Sequence, residues 1–161
     1  MIRPVELIDA AACCELYNHY VEHSISTFEE EQVSVDALKG RIETVTEAYP
    51  WLVYEEDGVI AGYVYAGPWK IRHAYRFSAE STVYLAPDNH GKGIGTALYE
   101  RLIADLEAGA VHAVMAGIAL PNDASIALHE KVGFEKVAHF KAVGRKFDRW
   151  IDVGYWELVL G

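Results

Sequence analysis

One stretch constrains this chain more than any other. A β-branched and aromatic strand, Thr82 to Leu85, stops at Pro87. It is followed by His90-Gly91-Lys92-Gly93-Ile94-Gly95-Thr96 and then by a helix from about Ile94 to Ala108. Leu98, Leu102 and Leu106 fall on one face of that helix. Glycines in such a turn allow dihedrals closed to other residues and let an oxygen approach the backbone without meeting a Cβ. The helix start adds unpaired N–H groups and the positive end of a dipole, so the segment reads as an anion cradle, with Lys92 at its rim. It is not a Walker A loop, because no Gly-Lys-Ser/Thr stands at the required spacing. Nor is it the dinucleotide fingerprint, because Leu98 takes the place of the third glycine. By itself the turn argues for an anion and does not say which one.

The rest of the chain supplies the frame. Asp9 is a candidate cap for a helix to about His23, and Ser34 for a second helix that Pro50 stops. Trp51–Tyr54 and Val59–Tyr65 read as strands joined at Asp57-Gly58, a two-residue hairpin signal. Gly67-Pro68 opens a loop with Trp69, Lys70, Ile71, Arg72, His73 and Tyr75. Val111–Ile118 is a nearly continuous apolar run, expected of a strand buried on both faces. Asn122 or Asp123 starts another helix, which Gly133 ends. Further strands are expected near Phe134–Phe140 and Ile151–Leu160. With 161 residues and no linker or repeat, the expectation is one α/β domain spanning residues 1–161.

Composition narrows the partners. Hydrophobic residues at 52% against 24% charged place the chain among globular proteins. A net charge of −10 argues against nucleic acid, whose binding needs clustered Lys and Arg. Met1-Ile2-Arg3-Pro4-Val5-Glu6 lacks a signal-peptide pattern, and no apolar run reaches membrane-span length, so no membrane partner and a cytoplasmic location are expected. Cys13 and Cys14 are adjacent and read as small buried residues. His19 and His23 have helical i, i+4 spacing but no third ligand, so no metal is expected.

Downstream of the turn, Asn122-Asp123-Ala124-Ser125 opens a helix ending in His129-Glu130-Lys131-Val132-Gly133-Phe134. The two elements together resemble the GNAT acetyltransferase superfamily, except that His90 stands where Gln or Arg is usual. Pro50-Trp51-Leu52-Val53, Tyr65-Ala66-Gly67-Pro68-Trp69-Lys70, Ala79-Glu80-Ser81-Thr82-Val83-Tyr84, Leu120-Pro121-Asn122-Asp123, Leu128-His129-Glu130 and Asp152-Val153-Gly154-Tyr155-Trp156 resemble its phosphinothricin and methionine sulfoximine (or methionine sulfone) acetyltransferase family. They occur in that family's order over nearly the whole chain.

The resemblance implies a GNAT fold, a mixed and mostly antiparallel twisted sheet flanked by helices. It also implies transfer of an acetyl group from acetyl-CoA to the amine of a small amino-acid-like acceptor. Acetyl-CoA would be met by Val83, Tyr84, Leu85, Gly91, Lys92, Gly93, Ile94, Gly95, Thr96 and Asn122. The acceptor would be met by Phe28, Lys70, Ile71, Arg72, Tyr75, Glu80, Ser81 and Thr82. Glu80 is expected as general base, and backbone N–H groups near Tyr84 and Leu85 as oxyanion donors if the strand bulges there. His129 could serve as acid or base, and Tyr99 could reach the same space or simply pack. A homodimer is implied, with Trp150, Tyr155 and Trp156 candidates for its surface or for core. Two other readings remain open: a protein or peptide N-acetyltransferase on the same fold, and a non-catalytic acyl-CoA-binding sensor.

Overall fold

The computed structural model describes residues 1–161. The elements in chain order are β1 (Ile2–Pro4), α1 (Ala10–His23), α2 (Val35–Thr46), β2 (Trp51–Glu56), β3 (Val59–Pro68), β4 (Ser78–Leu85), α3 (Ile94–Glu107), β5 (Ala113–Leu120), α4 (Asp123–Lys131), β6 (Glu135–Lys146) and β7 (Arg149–Val159). The seven strands form one sheet in the order β1-β2-β3-β4-β5-β7-β6. Every pairing is antiparallel except β4 with β5.

Helices cover both faces. Cys13, Leu16 and Tyr17 of α1 and Leu38 and Ile42 of α2 pack with Trp51, Val53, Tyr63 and Tyr84 on one side. On the other, Leu98, Tyr99, Leu102 and Leu106 of α3 pack with Leu52, Val64, Ala66, Val114, Ala116 and Trp156. Strand periodicity sorts β4 between these layers. Ala79, Val83 and Leu85 face α3, and Tyr84 faces α1 and α2.

The parallel pair is the feature that makes a site. β4 and β5 pair only over Ser78↔Ala113, Ala79↔Val114 and Glu80↔Met115. Beyond that rung β5 continues alongside β7 to Leu120↔Asp152, while β4 stays with β3 to Gly62↔Leu85. The two strands therefore part, and a cleft opens through the middle of the sheet.

Several expectations needed correction. Asp9 stands at the N-cap position of α1 but its side chain makes no capping bond to that helix. It closes a 3-10 turn, Leu7–Asp9, and its carboxylate accepts from the Glu6 N–H at 2.8 Å and from Arg3 at 2.8 and 2.9 Å. Ser34 does cap α2, accepting from the Ala37 N–H, and Asn122 caps α4, accepting from the Ser125 N–H. β4 starts at Ser78, four residues before the expected start, so Glu80 lies within the strand instead of at its entrance. It does not bulge at Tyr84, since its register with β3 is unbroken. The C-terminal strands form one long hairpin through Phe147 (φ 52°) and Asp148 (φ 57°). That turn carries no glycine or asparagine to announce it.

Candidate active site

The cleft widens into a cavity of about 980 Å³ that reaches from the glycine turn to the loops after α1 and β3. Its walls bring together Phe28, Lys70, Glu80, Ser81, Thr82, Val83, Tyr84, Leu85, Gly91, Gly93, Ile94, Gly95, Thr96, Tyr99, Asn122 and His129 from the expected set. Lys92 stays outside, with its ammonium on the Asn89 side chain at 3.3 Å. Ile71, Arg72 and Tyr75 also lie outside, on a solvent-facing loop with a single 3-10 turn, and Ile71 is fully exposed.

Backbone parity decides which amides face the cleft. Ala86 N–H donates to Ala61 O, and Trp69 N–H donates to Ser78 O. Even-numbered residues from 78 to 86 therefore turn their polar backbone groups toward β3. The N–H groups of Val83 and Leu85 point the other way, where β5 has departed, whereas that of Tyr84 is paired with β3. The expected donors near Tyr84 and Leu85 thus become Val83 and Leu85, freed by strand divergence.

The three glycines of the turn differ in what they do. Gly91 (φ 75°) and Gly93 (φ 82°) have left-handed backbones, and a Cβ at either would meet nothing within 4 Å. That open space beside the first N–H groups of α3 fits a phosphate. Gly95 is instead a packing glycine inside α3, since a Cβ there would lie 3.0 Å from the Leu128 side chain. His90 ties the turn to the fold. The Tyr20 hydroxyl donates to Leu85 O, so it must accept from His90 Nε2, at 2.9 Å.

On the α3 side of the cleft three polar side chains form a buried chain. Ser81 Oγ is 2.9 Å from Tyr99 Oη, which is 2.7 Å from His129 Nε2, and His129 Nδ1 is 2.7 Å from Ser125 O. A carbonyl can only accept, so Nδ1 carries a proton and donates. Burial holds the His129 pKa below its ordinary value, which leaves Nε2 unprotonated and accepting from Tyr99. Tyr99 then accepts from Ser81. Burial also pushes the Tyr99 hydroxyl well above the ordinary phenol value. At rest the chain is polarised inward, toward His129.

Glu80 lies on the opposite face of β4. Burial raises its pKa, and the nearby Lys70 ammonium opposes the rise. Lys70 Nζ also sits 4.8 Å from the Trp69 ring centroid, while Trp69, Tyr155 and Phe140 make edge-to-face contacts. Tyr155 and Phe140 were absent from the expected site. Gly117 was the available signal for Tyr155: it interrupts an apolar strand, and a Cβ there would lie 3.1 Å from the Tyr155 ring. Ser125, which orients His129, was also missed as a site residue. No three His, Cys, Asp or Glu side chains gather as a metal site.

Comparison with known proteins gives the family and fold of the chain. The family model described as acetyltransferase (GNAT) domain matches residues 2–154. Phosphinothricin N-acetyltransferase of Streptomyces viridochromogenes is 42% identical over 97% of this chain and 85% of its own. The L-methionine sulfoximine/L-methionine sulfone acetyltransferase of Salmonella typhimurium is 38% identical over 99% and 94%. A crystal structure of a phosphinothricin acetyltransferase from Sinorhizobium meliloti, in complex with acetyl-CoA, superposes with a TM-score of 0.96 at 36% identity, covering 100% and 88%.

Proposed function

Because the chain belongs to the GNAT acetyltransferase family, we propose that it transfers the acetyl group of acetyl-CoA to the amine of a small amino-acid-like acceptor such as phosphinothricin, methionine sulfoximine or methionine sulfone. The observation that carries this reading is the divided cleft. One cavity joins an amide-lined anion cradle at Gly91–Thr96 to a half-buried carboxylate, Glu80, on the other face of β4.

Acetyl-CoA supplies the activated acyl group, and the chain's own residues do the rest. The N–H groups at the start of α3 hold the pyrophosphate between Gly91 and Thr96. Asn122 uses its carbonyl oxygen on the α4 cap, which leaves its amide N–H groups for the cofactor's arm. Val83 and Leu85 offer N–H donors to the thioester oxygen as negative charge develops there.

An acceptor ammonium must lose a proton before it attacks. Glu80, with its pKa raised by burial, is the base for that step. Lys70 binds the acceptor's acidic group. The polarity of the buried chain supports reading His129, neutral at rest, as its acid–base group. The proton that the tetrahedral nitrogen sheds, taken up at Ser81, passes through Tyr99 to His129 Nε2 and returns along the same path to the departing thiolate.

This reading also takes the protein to be a cytoplasmic homodimer. Free, buried Cys13 and Cys14 suit a reducing compartment. Trp156 is core, but Trp150 is 65% exposed, and with Ile71 and Phe77 it offers apolar surface for a second copy. Sedimentation of the protein at micromolar concentration checks this: a single monomeric species would contradict it.

The test of acceptor class is thiol release from acetyl-CoA with phosphinothricin, methionine sulfoximine, methionine sulfone and a basic peptide. Release with the small acceptors supports the proposal. Release with the peptide alone would make the chain a peptide acetyltransferase. Acetyl-CoA binding without turnover of any acceptor would make it a sensor.

A further inference from the structure

The wall of the cavity beside Glu80 is built from Ile25, Ser26 and Phe28, on a segment between α1 and α2 that belongs to neither helix. Such a segment has no backbone ladder of its own, and here a side chain remote in sequence holds it. Lys146, at the end of β6, is 2% exposed, and its Nζ donates to Ser24 O at 2.7 Å, Thr27 O at 2.8 Å and Tyr20 O at 3.5 Å. An ammonium in such a place is tolerated only when its donors are satisfied. The three carbonyls are thereby gathered onto one point.

Two residues earlier, on the same face of β6, is Gly144. It is buried, and the Phe28 ring occupies the space that a side chain would take. A Cβ at Gly144 would lie 2.5 Å from Phe28 Cζ and 3.1 Å from Cδ2, closer than atoms can pack. Phe28 also lines the cavity and is 41% exposed. β6 reaches this position through an irregularity between Phe140 and Gly144, where its pairing with β7 shifts. The Asp152 carboxylate pins that irregularity, accepting from the Ala142 N–H and from His139 Nε2, both at 2.8 Å.

We infer that Gly144 and Lys146 are positioning residues that set the width of the acceptor end of the cavity, acting through Phe28. Lys146 fixes the path of residues 24–28, and the missing side chain at 144 is the slot that keeps the Phe28 ring out of the acceptor's space. The inference rests on the reading of Phe28, Lys70 and Glu80 as the acceptor site. Neither Gly144 nor Lys146 lines the cavity, so neither would be found by inspecting its walls.

The test is steady-state kinetics with methionine sulfone and its shorter homologue S-methylcysteine sulfone. Gly144→Ala pushes the ring inward and raises KM for the longer acceptor about 10-fold relative to the shorter, in line with discrimination of one methylene. kcat and the KM for acetyl-CoA stay near wild type. Adding Phe28→Leu shortens the displaced ring and restores the wild-type ratio. Phe28→Leu alone, which needs no tolerance at residue 144, shifts the ratio in favour of the longer acceptor. An unchanged ratio in Gly144→Ala, or no restoration in the double variant, overturns the role of Gly144. For Lys146, amide hydrogen exchange needs no turnover: Lys146→Met speeds exchange at residues 25–28, and unchanged exchange there overturns its role. If the wild type acetylates neither sulfone, the acceptor assignment has failed. Unchanged exchange with normal turnover fails the Lys146 inference alone.

Discussion

Glu80 and Lys70 show how two side chains divide one task. Burial favours the neutral carboxyl of Glu80, whereas the Lys70 ammonium favours its charged form. If Glu80 is the base, as proposed, it is active when deprotonated, so turnover falls as pH drops through its pKa, which burial raises above the ordinary glutamate value. Lys70→Met removes the opposing ammonium and moves that acidic limb to higher pH. A kcat–pH profile at saturating acceptor checks this, and a limb that moves down or stays in place contradicts it. Thr82 and Tyr84 share Glu80's face of the strand by parity. Ser81 turns to the other face and becomes part of the chain to His129. One strand thus carries the proposed base on one face and the buried Ser81–Tyr99–His129 chain on the other.

Among the elements, α3 and α4 meet at Gly95 and Leu128, and this contact sets the distance between the anion cradle and His129. Gly95→Ala puts a Cβ 3.0 Å from the Leu128 side chain, which must shift, at a cost of about 1–3 kcal/mol. Urea unfolding reports the loss. Unfolding midpoints unchanged from wild type would show that Gly95 serves the phosphate and not the packing. At the other end of the chain, Arg3 grips Asp9 and Glu55, joining β1, the turn before α1 and β2. The hydrogen bond from Arg3 holds the Asp9 pKa below its ordinary value. A depressed folded-state pKa stabilises above the unfolded value, near ~3.9, and the benefit is lost as pH falls through the folded value. Asp9→Asn therefore destabilises by about 1–3 kcal/mol at pH 7, and the two proteins converge in acid. Equal stability at pH 7 would remove the staple from the account.

Much of this was legible from local chemistry. The Asp57-Gly58 hairpin, the Ser34 and Asn122 caps and the Gly133 stop each follow from a residue whose preference matches its position. What the chain hid were features set by tertiary context. The Phe147-Asp148 turn puts a phenylalanine at positive φ and has no glycine, so Asp148 alone did not announce it and β6 was expected to end at Phe140 instead of Lys146. The cleft comes from β5 following β7, a partnership no local pattern announces. Gly144 and Lys146 look ordinary until the fold lays Phe28 and the carbonyls of residues 20–27 against them.

At the scale of the whole molecule, a chain of net charge −10 is set to bind an anionic cofactor. The conflict is resolved by geometry, because the cradle offers backbone N–H groups and a helix dipole in place of a basic patch. On the proposed reading the sheet keeps the two substrates apart until they reach the gap between β4 and β5, with the cradle and Tyr99 on one side and Glu80 and Phe28 on the other. A single comparison tests that division. Acceptor-dependent thiol release from acetyl-CoA, compared between wild type and Glu80→Gln with acetyl-CoA affinity followed by calorimetry, separates the two sides. If the division holds, the substitution lowers kcat by about 10²–10⁴ and leaves acetyl-CoA affinity as in wild type. Wild-type turnover in Glu80→Gln, or acetyl-CoA affinity lost together with turnover, would contradict it.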